Sequence, residues 1–214
     1  LLVRPLASRQ PVIALNQRQE CADLPLAVQR VTREVLSGTR SAVVRLVKGR
    51  GAEPDWLLEP VGRARPVLHL YGAGHVGRAI AHITEGLALK CVWIDTTPER
   101  FPDPIPRHIE AIVAADPASH AAGASPDGCH IVLTYSHALD LGVCHALLAR
   151  GDFAFLGLIG SATKRARFLK RLREAGHSET ALARLVCPIG IDGITDKEPA
   201  AIAIATMAQV QREI

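Results

Sequence analysis

The stretch VLHLYGAGHVGRAIA, Val67 to Ala81, decides the fold. An apolar run leads into three glycines spaced Gly72-x-Gly74-x-x-Gly77, and apolar residues at helical spacing follow. Strand, tight turn and helix in that order open a nucleotide-binding βαβ unit. Each glycine has its own task in such a turn. Gly72 permits the sharp bend, Gly74 lets a pyrophosphate approach the backbone, and Gly77 lets helix and strand pack closely. The helix starting near His75 and Val76 offers free N–H groups and a positive dipole end to a phosphate. His75 itself reads as a polar loop residue or a donor to an anion. The same residues also suit a bare strand-to-helix turn, so the flanking sequence has to discriminate.

The next strand, CVWID, ends in Asp95, 23 residues after Gly72. A carboxylate there is placed to accept from ribose hydroxyls, which disfavours a 2′-phosphate. Further strands are predicted at Val67 to Tyr71, Cys91 to Asp95, Ala111 to Ala114, His130 to Thr134 and Ala154 to Leu158. Helical patterns lie between most of them, at Val76 to Ala88, His137 to Arg150 and Ala162 to Ala175, and a closing helix covers Pro199 to Arg212. Such alternation argues for right-handed βαβ units: an α/β, Rossmann-like, doubly wound parallel sheet over residues 67–214.

A second glycine turn lies in FLGLIGSATKRARF, where an apolar strand runs into Gly157, Gly160, Ser161 and a basic helix. Ser161 is a good N-cap. The amides after it, with Lys164 and Arg165, make either an anion site or an ordinary capped helix with solvated cations. In a doubly wound sheet both glycine turns share the edge formed by the C-terminal strand ends. LTYSHALDLGVCHALL puts Thr134, Ser136, His137 and Asp140 on the same edge, as ligand contacts or helix caps. A Ser-His-Asp triad is disfavoured, because the three fall within one local turn. CPIGIDGITDKEP, residues 187–199, is an irregular loop whose Cys187 is a candidate contact for a soft metal or a sulfur-bearing ligand. The nine histidines show no zinc spacing.

Composition narrows the class. The 214 residues are 48% hydrophobic but only 4% aromatic, so the core is built from Ala, Leu, Ile and Val, as in parallel sheets covered by helices. Net charge is +4 with Arg spread along the chain, and no nucleic-acid signature accompanies it. No apolar run approaches the ~20 residues of a membrane span, and no signal-peptide pattern is seen. Five cysteines without a CxxC pair suit a reducing, cytoplasmic compartment.

Residues 1–60 read as a small α+β segment, and PVGRARP marks a linker over 61–66. PVIAL is a strand candidate. DLPLAVQRVTREVLSG reads as a helix with Asp23 as N-cap and Gly38 as stop, and SAVVRLV with WLLEP reads as a hairpin. These elements are too few for a core of their own, so a truncated domain is expected, and Leu1 in place of Met agrees.

Taken in order, GAGHVGRAIA, VWIDTTPERF, VLTYSHALD, FLGLIGSATKRARF and PIGIDGI resemble the xanthine dehydrogenase accessory protein family, XdhC/CoxI, over roughly Glu59 to Glu213. The resemblance implies a non-catalytic chaperone for molybdenum cofactor. Such a protein binds the cofactor while a cysteine desulfurase installs the terminal sulfur. It then assists insertion into xanthine dehydrogenase or a related molybdenum hydroxylase. A homodimer is expected, and the composition gives no reason to expect nucleic-acid or membrane partners. Gly72, Gly74, His75 and Gly77 match the family's first loop, Asp95 its acidic residue, Gly157, Gly160 and Ser161 its second turn, and Pro188, Ile189 and Gly190 its late loop. Two departures stand out. The family's Pro-x-Glu-Ile-Ala run is here Pro199-Ala200-Ala201-Ile202-Ala203, leaving Glu198 as the nearest carboxylate, and a Cys-containing N-terminal motif is not present. NAD or another nucleotide is the competing ligand, in an oxidoreductase or a nucleotide-sensing module.

Overall fold

A computed structural model describes residues 2–5, 13–14, 24–36, 45–48, 55–59 and 65–214. The chain divides into two units, Leu1–Ala64 and Arg65–Ile214. In the first, β1 (Leu2–Pro5), β2 (Ile13–Ala14), β3 (Arg45–Val47) and β4 (Trp56–Glu59) form an antiparallel sheet of order β2-β1-β4-β3. The hairpin is present, with Arg45 opposite Leu58 and Val47 opposite Trp56. Helix α1 (Leu26–Leu36) buries Val28, Val31 and Thr32 at helical spacing. The proposed caps Asp23 and Gly38, and most of the 61–66 segment, lie outside the described residues.

The second unit is a six-stranded sheet built from β5 (Val67–Tyr71), β6 (Lys90–Asp95), β7 (Ile109–Val113), β8 (Cys129–Val132), β9 (Phe155–Leu158) and β10 (Leu185–Val186). All its pairings are parallel and the order is β10-β9-β8-β5-β6-β7. Counted from β5 as strand one, this is 3-2-1-4-5-6, the doubly wound nucleotide-binding order. The helices are α2 (His75–Ile83), α3 (Pro117–Gly123), α4 (His137–Arg150), α5 (Ala162–Glu174), α6 (Glu179–Leu182) and α7 (Pro199–Glu213).

Strand alternation sends side chains to two cores. Leu68, Leu70, Cys91, Trp93 and Ile131 pack with Ile80 of α2 and Ala203, Met207 and Val210 of α7. Tyr71, Val92, Ile94, Val132 and Leu158 pack on the opposite face with Val143, Cys144 and Leu147 of α4 and Phe168 and Leu172 of α5. Both faces are covered, which is why the strands read as nearly unbroken apolar runs.

Just past the strand ends, backbone bonds continue the ladder. The amides of Ile159, Leu133, Gly72 and Ala114 donate to Val132, Tyr71, Ile94 and Asp95, at 2.8–2.9 Å. The loops after β9, β8, β5 and β7 are therefore each tied to the end of the neighbouring strand along one edge. The strand order reverses between β5 and β8, the point outside the strand ends where doubly wound sheets bind their ligands.

Candidate functional site

At this reversal, β5 hands over to α2 through Gly72, Ala73 and Gly74. Gly72 has φ +120, a conformation L side chains rarely adopt, and a Cβ on it would lie 2.4 Å from the Leu133 carbonyl oxygen. A Cβ on Gly77 would lie 2.2 Å from the Gly72 carbonyl oxygen. These two glycines let the turn nest against β8 and let α2 press back on the turn. Gly74 differs: it is exposed, has φ −72, and a Cβ there would meet nothing within 4 Å. Its missing side chain leaves space on the solvent side, where the leading amides of α2 emerge. Gly74 is the N-cap of α2 and brings no capping side chain. Until Arg78 donates to Gly74 at 2.9 Å, the first turn has no intrahelical acceptor for its N–H groups. His75 is exposed beside them and Val76 half-buried.

The loop backbone is held rigidly from behind. The Trp93 indole N–H donates to the Gly72 carbonyl at 2.9 Å, and Arg78 Nε donates to the Ala73 carbonyl at 3.1 Å. Asp95 takes the Ala73 amide on Oδ2 at 2.6 Å and the Thr96 amide on Oδ1 at 2.7 Å. Arg100 Nε lies 2.8 Å from the same Oδ1 as an ion pair, without the alignment of a hydrogen bond. Asp95 is 3% exposed. Asp95, read from the sequence as a ribose acceptor, here accepts from the protein's own amides. Both oxygens serve the protein, because the sharp turn leaves the Ala73 amide buried and in need of an acceptor.

The second turn is closed by its own helix. Ser161 caps α5, accepting from the Lys164 amide at 3.2 Å. A Cβ on Gly160 would lie 2.5 Å from Cδ of Lys164, so that side chain lies back across the turn. Its Nζ donates to Asp140 Oδ2 at 2.6 Å and to the Ile159 carbonyl at 2.9 Å. The Asp140 carboxylate is fully buried and its other oxygen takes the Thr134 amide at 2.9 Å. The Thr134 hydroxyl lies 2.7 Å from that oxygen and 2.9 Å from the Ser136 carbonyl. Lys164 and Thr134, expected as ligand contacts, are instead the two arms of a clamp on Asp140 that ties the β8 and β9 loops together. Gly157 also needs correcting. It lies within β9, and a Cβ there would meet Ile189 Cγ2 at 2.6 Å, so it makes room for the late loop to pack. Ser136 is the N-cap of α4 without a side-chain cap bond, and His137, exposed, meets the Phe168 ring edge-on at 6.3 Å.

Cys187 is 6% exposed, and burial pushes its thiol up despite the neighbouring Lys164 and Arg165 cations. Among the described residues no group of three His, Cys, Asp or Glu side chains is arranged to hold a metal ion. None of the described helices is long and apolar enough to cross a membrane. Two contributors escaped sequence reasoning, Arg100 and Tyr135. The Arg100 guanidinium sits over the Tyr135 ring, 3.8 Å from its centroid. The signal for Tyr135 was its position: one of two tyrosines in the chain, set in a polar loop at a strand end.

The family model of the XdhC Rossmann domain matches residues 68–210. The chain belongs to the XdhC family. A relative from Escherichia coli (strain K12), the uncharacterized protein YqeB, is 36% identical over 155 residues, covering 68% of this chain and 27% of its own length. The chain thus spans about a quarter of the curated relative it matches. A solved structure named as a xanthine dehydrogenase from Bacillus halodurans superimposes with a TM-score of 0.61 at 16% identity, covering 88% of this chain and 65% of that one. At that identity the likeness concerns the fold alone. The XdhC match spans every strand of the parallel sheet from Leu68 onward, so the glycine loop and the clamp both lie inside the family domain.

Proposed function

We propose that this XdhC domain is the ligand-holding part of an accessory protein to xanthine dehydrogenase or a related molybdenum hydroxylase. In this reading it binds molybdenum cofactor, phosphate end first, keeps it during sulfuration by a cysteine desulfurase, and assists its insertion. The reading places the protein in the cytoplasm, as a homodimer that carries rather than converts its ligand. Family membership supports the accessory role. The observation that carries the binding mode is the N-terminus of α2, which lacks a side-chain cap and has open space at Gly74, at the point where the strand order reverses.

The residues present fit the phosphate end of such a cofactor. Backbone amides and a helix dipole supply the positive end without a mobile cation. Molybdenum, when bound, brings its own redox chemistry for use in the receiving enzyme. What this chain contributes is a stiff surface. Asp95, Thr134, Asp140 and Lys164 are engaged with one another or with the backbone, which suits holding a ligand still. The same engagement speaks against the alternative, an NAD-dependent oxidoreductase, because the carboxylate that would receive the ribose is buried and accepts from the Ala73 and Thr96 amides.

The test is titration of molybdenum cofactor onto the protein, followed by mass spectrometry of whatever leaves it on denaturation. Gly74→Leu should abolish binding with circular dichroism unchanged, because the new side chain enters empty space that only a ligand would use. Full binding by Gly74→Leu would refute the phosphate site. Retention of NAD with hydride transfer, and no molybdenum, would refute the carrier role.

A further inference from the structure

Tyr135 belongs to the loop after β8, yet its hydroxyl reaches the end of β6, where the Thr96 hydroxyl donates to it at 3.5 Å. In the sheet, β5 lies between β8 and β6. The tyrosine therefore crosses the end of β5, over the glycine loop. The residue is 60% exposed, an unusual exposure for an aromatic among the described residues. The Arg100 guanidinium covers one face at 3.8 Å from the centroid.

Arg100 is itself fixed. Its Nε is paired with Asp95 at 2.8 Å, and its carbonyl accepts from Arg78 at 2.9 Å. A guanidinium paired with a buried carboxylate is held as a flat cation against a ring rather than free to swing toward an incoming phosphate. An aromatic ring with a cation behind it and solvent in front is a surface on which a flat heterocycle stacks.

We propose that Tyr135, backed by Arg100, is the stacking wall for the heterocycle of a ligand whose phosphate sits at the Gly72–Gly77 loop. This rests on the phosphate site proposed above. Asp95 is then a positioning residue: it orders the loop through Ala73 and the wall through Arg100. The ligand class is a flat, polar bicyclic ring, purine or pterin, joined to a phosphate or diphosphate. Recognition through a ring face tolerates differences in hydrogen-bonding edges.

The experiment compares ADP with inorganic pyrophosphate by calorimetric titration of the full chain. Both probes carry the diphosphate, so the ratio of their affinities isolates the part contributed by ring and ribose. The wild-type chain should prefer ADP. Tyr135→Ala should lose about tenfold in ADP affinity and leave pyrophosphate unchanged, while Tyr135→Phe keeps the ADP preference. A wild-type chain without ADP preference overturns the wall, as does a Tyr135→Ala chain that retains it. An equal gain for both probes in Tyr135→Ala also overturns it, since the tyrosine would then be an obstructing strap. Pyrophosphate binding that survives these failures leaves the phosphate site standing. Loss of both probes from the wild-type chain removes the phosphate site and the wall together.

Discussion

Gly72, Gly74 and Gly77 share a motif but not a physical role. A side chain at Gly72 or Gly77 would strike backbone oxygen at 2.4 or 2.2 Å, and backbone cannot step aside cheaply. Gly77→Ala should therefore destabilise the domain by about 3 kcal/mol, read as a lowered denaturation midpoint, with binding lost only because folding is. Gly74→Leu should keep the midpoint within a fraction of that. The Asp140 carboxylate gives a second contrast. Lys164→Met leaves it buried without its cation, and removing one partner of such a pair costs roughly 3–5 kcal/mol. Lys164→Met with Asp140→Asn should recover much of the loss. If Lys164 instead bound an external anion, the single variant would lower anion affinity and leave the midpoint alone. The glycine spacing made the first turn legible. The destinations of Asp95 and Lys164 were not, because their partners, the Ala73 amide and the Asp140 carboxylate, lie 22 and 24 residues away. Local spacing does not encode such meetings.

At the scale of elements, strand and helix alternation carried the parallel sheet and its principal helices from sequence to structure. Elements that escaped were short. Helix α3 has seven residues, too few to show an apolar period, although Asp116 before Pro117 was a readable start: its side chain accepts from the Ala118 amide. Strand β10 has two residues and exists because it pairs with β9, a fact absent from its own sequence. Gly157 was misplaced for a related reason. A glycine before a turn looks like part of it, whereas here the constraint comes from two side chains, Ile189 of the late loop and Phe155 of β9 itself. Gly157→Ala should therefore loosen the late loop, seen as faster amide exchange at Gly190 and Ile191, which are otherwise bonded to Gln209 and Ala205. Adding Ile189→Ala removes the clash with the loop but not the one with Phe155, so protection should return only in part. Unchanged exchange in Gly157→Ala would separate the glycine from the loop.

Across the whole domain, acid sensitivity is written into one polar cluster within the sheet. His69 and His130 are buried on adjacent strands with their rings stacked, centroids 4.7 Å apart. Tyr71 lies beside them, its hydroxyl 3.3 Å from His130 Nδ1, and His120 of α3 closes the group. Both His69 ring nitrogens lack a hydrogen-bond partner. Burial first, then the neighbouring His120 and the cations Lys90 and Arg150, lower His69 to about 4, with Glu110 opposing; burial first, then His69 and Arg150, lower His130 to about 3, with Asp152 opposing. The unfolded chain takes up these protons below about pH 6.5, the folded chain only below about 4 and 3. More protons are bound on unfolding in that window, so stability falls as pH drops from about 6.5 toward 4. The slope approaches 1.4 kcal/mol per pH unit for each histidine. Denaturant midpoints measured from pH 7 to pH 4 check this, and His69→Phe should flatten the slope by roughly half. Above neutrality the cluster is silent. There the buried thiols Cys91 and Cys129, raised to about 11 by burial, stay protonated and resist alkylation in the folded protein.

The bond from the Trp93 indole to the Gly72 carbonyl joins a fluorophore to the Gly72–Gly77 turn. The indole is fully shielded from water, and emission from such a ring shifts with the polarity and charge brought to its N–H side. The domain therefore comes with a built-in optical gauge of occupancy. With Trp56 replaced by Phe, the remaining signal reports on the turn alone, and a ligand's arrival there becomes visible without any label.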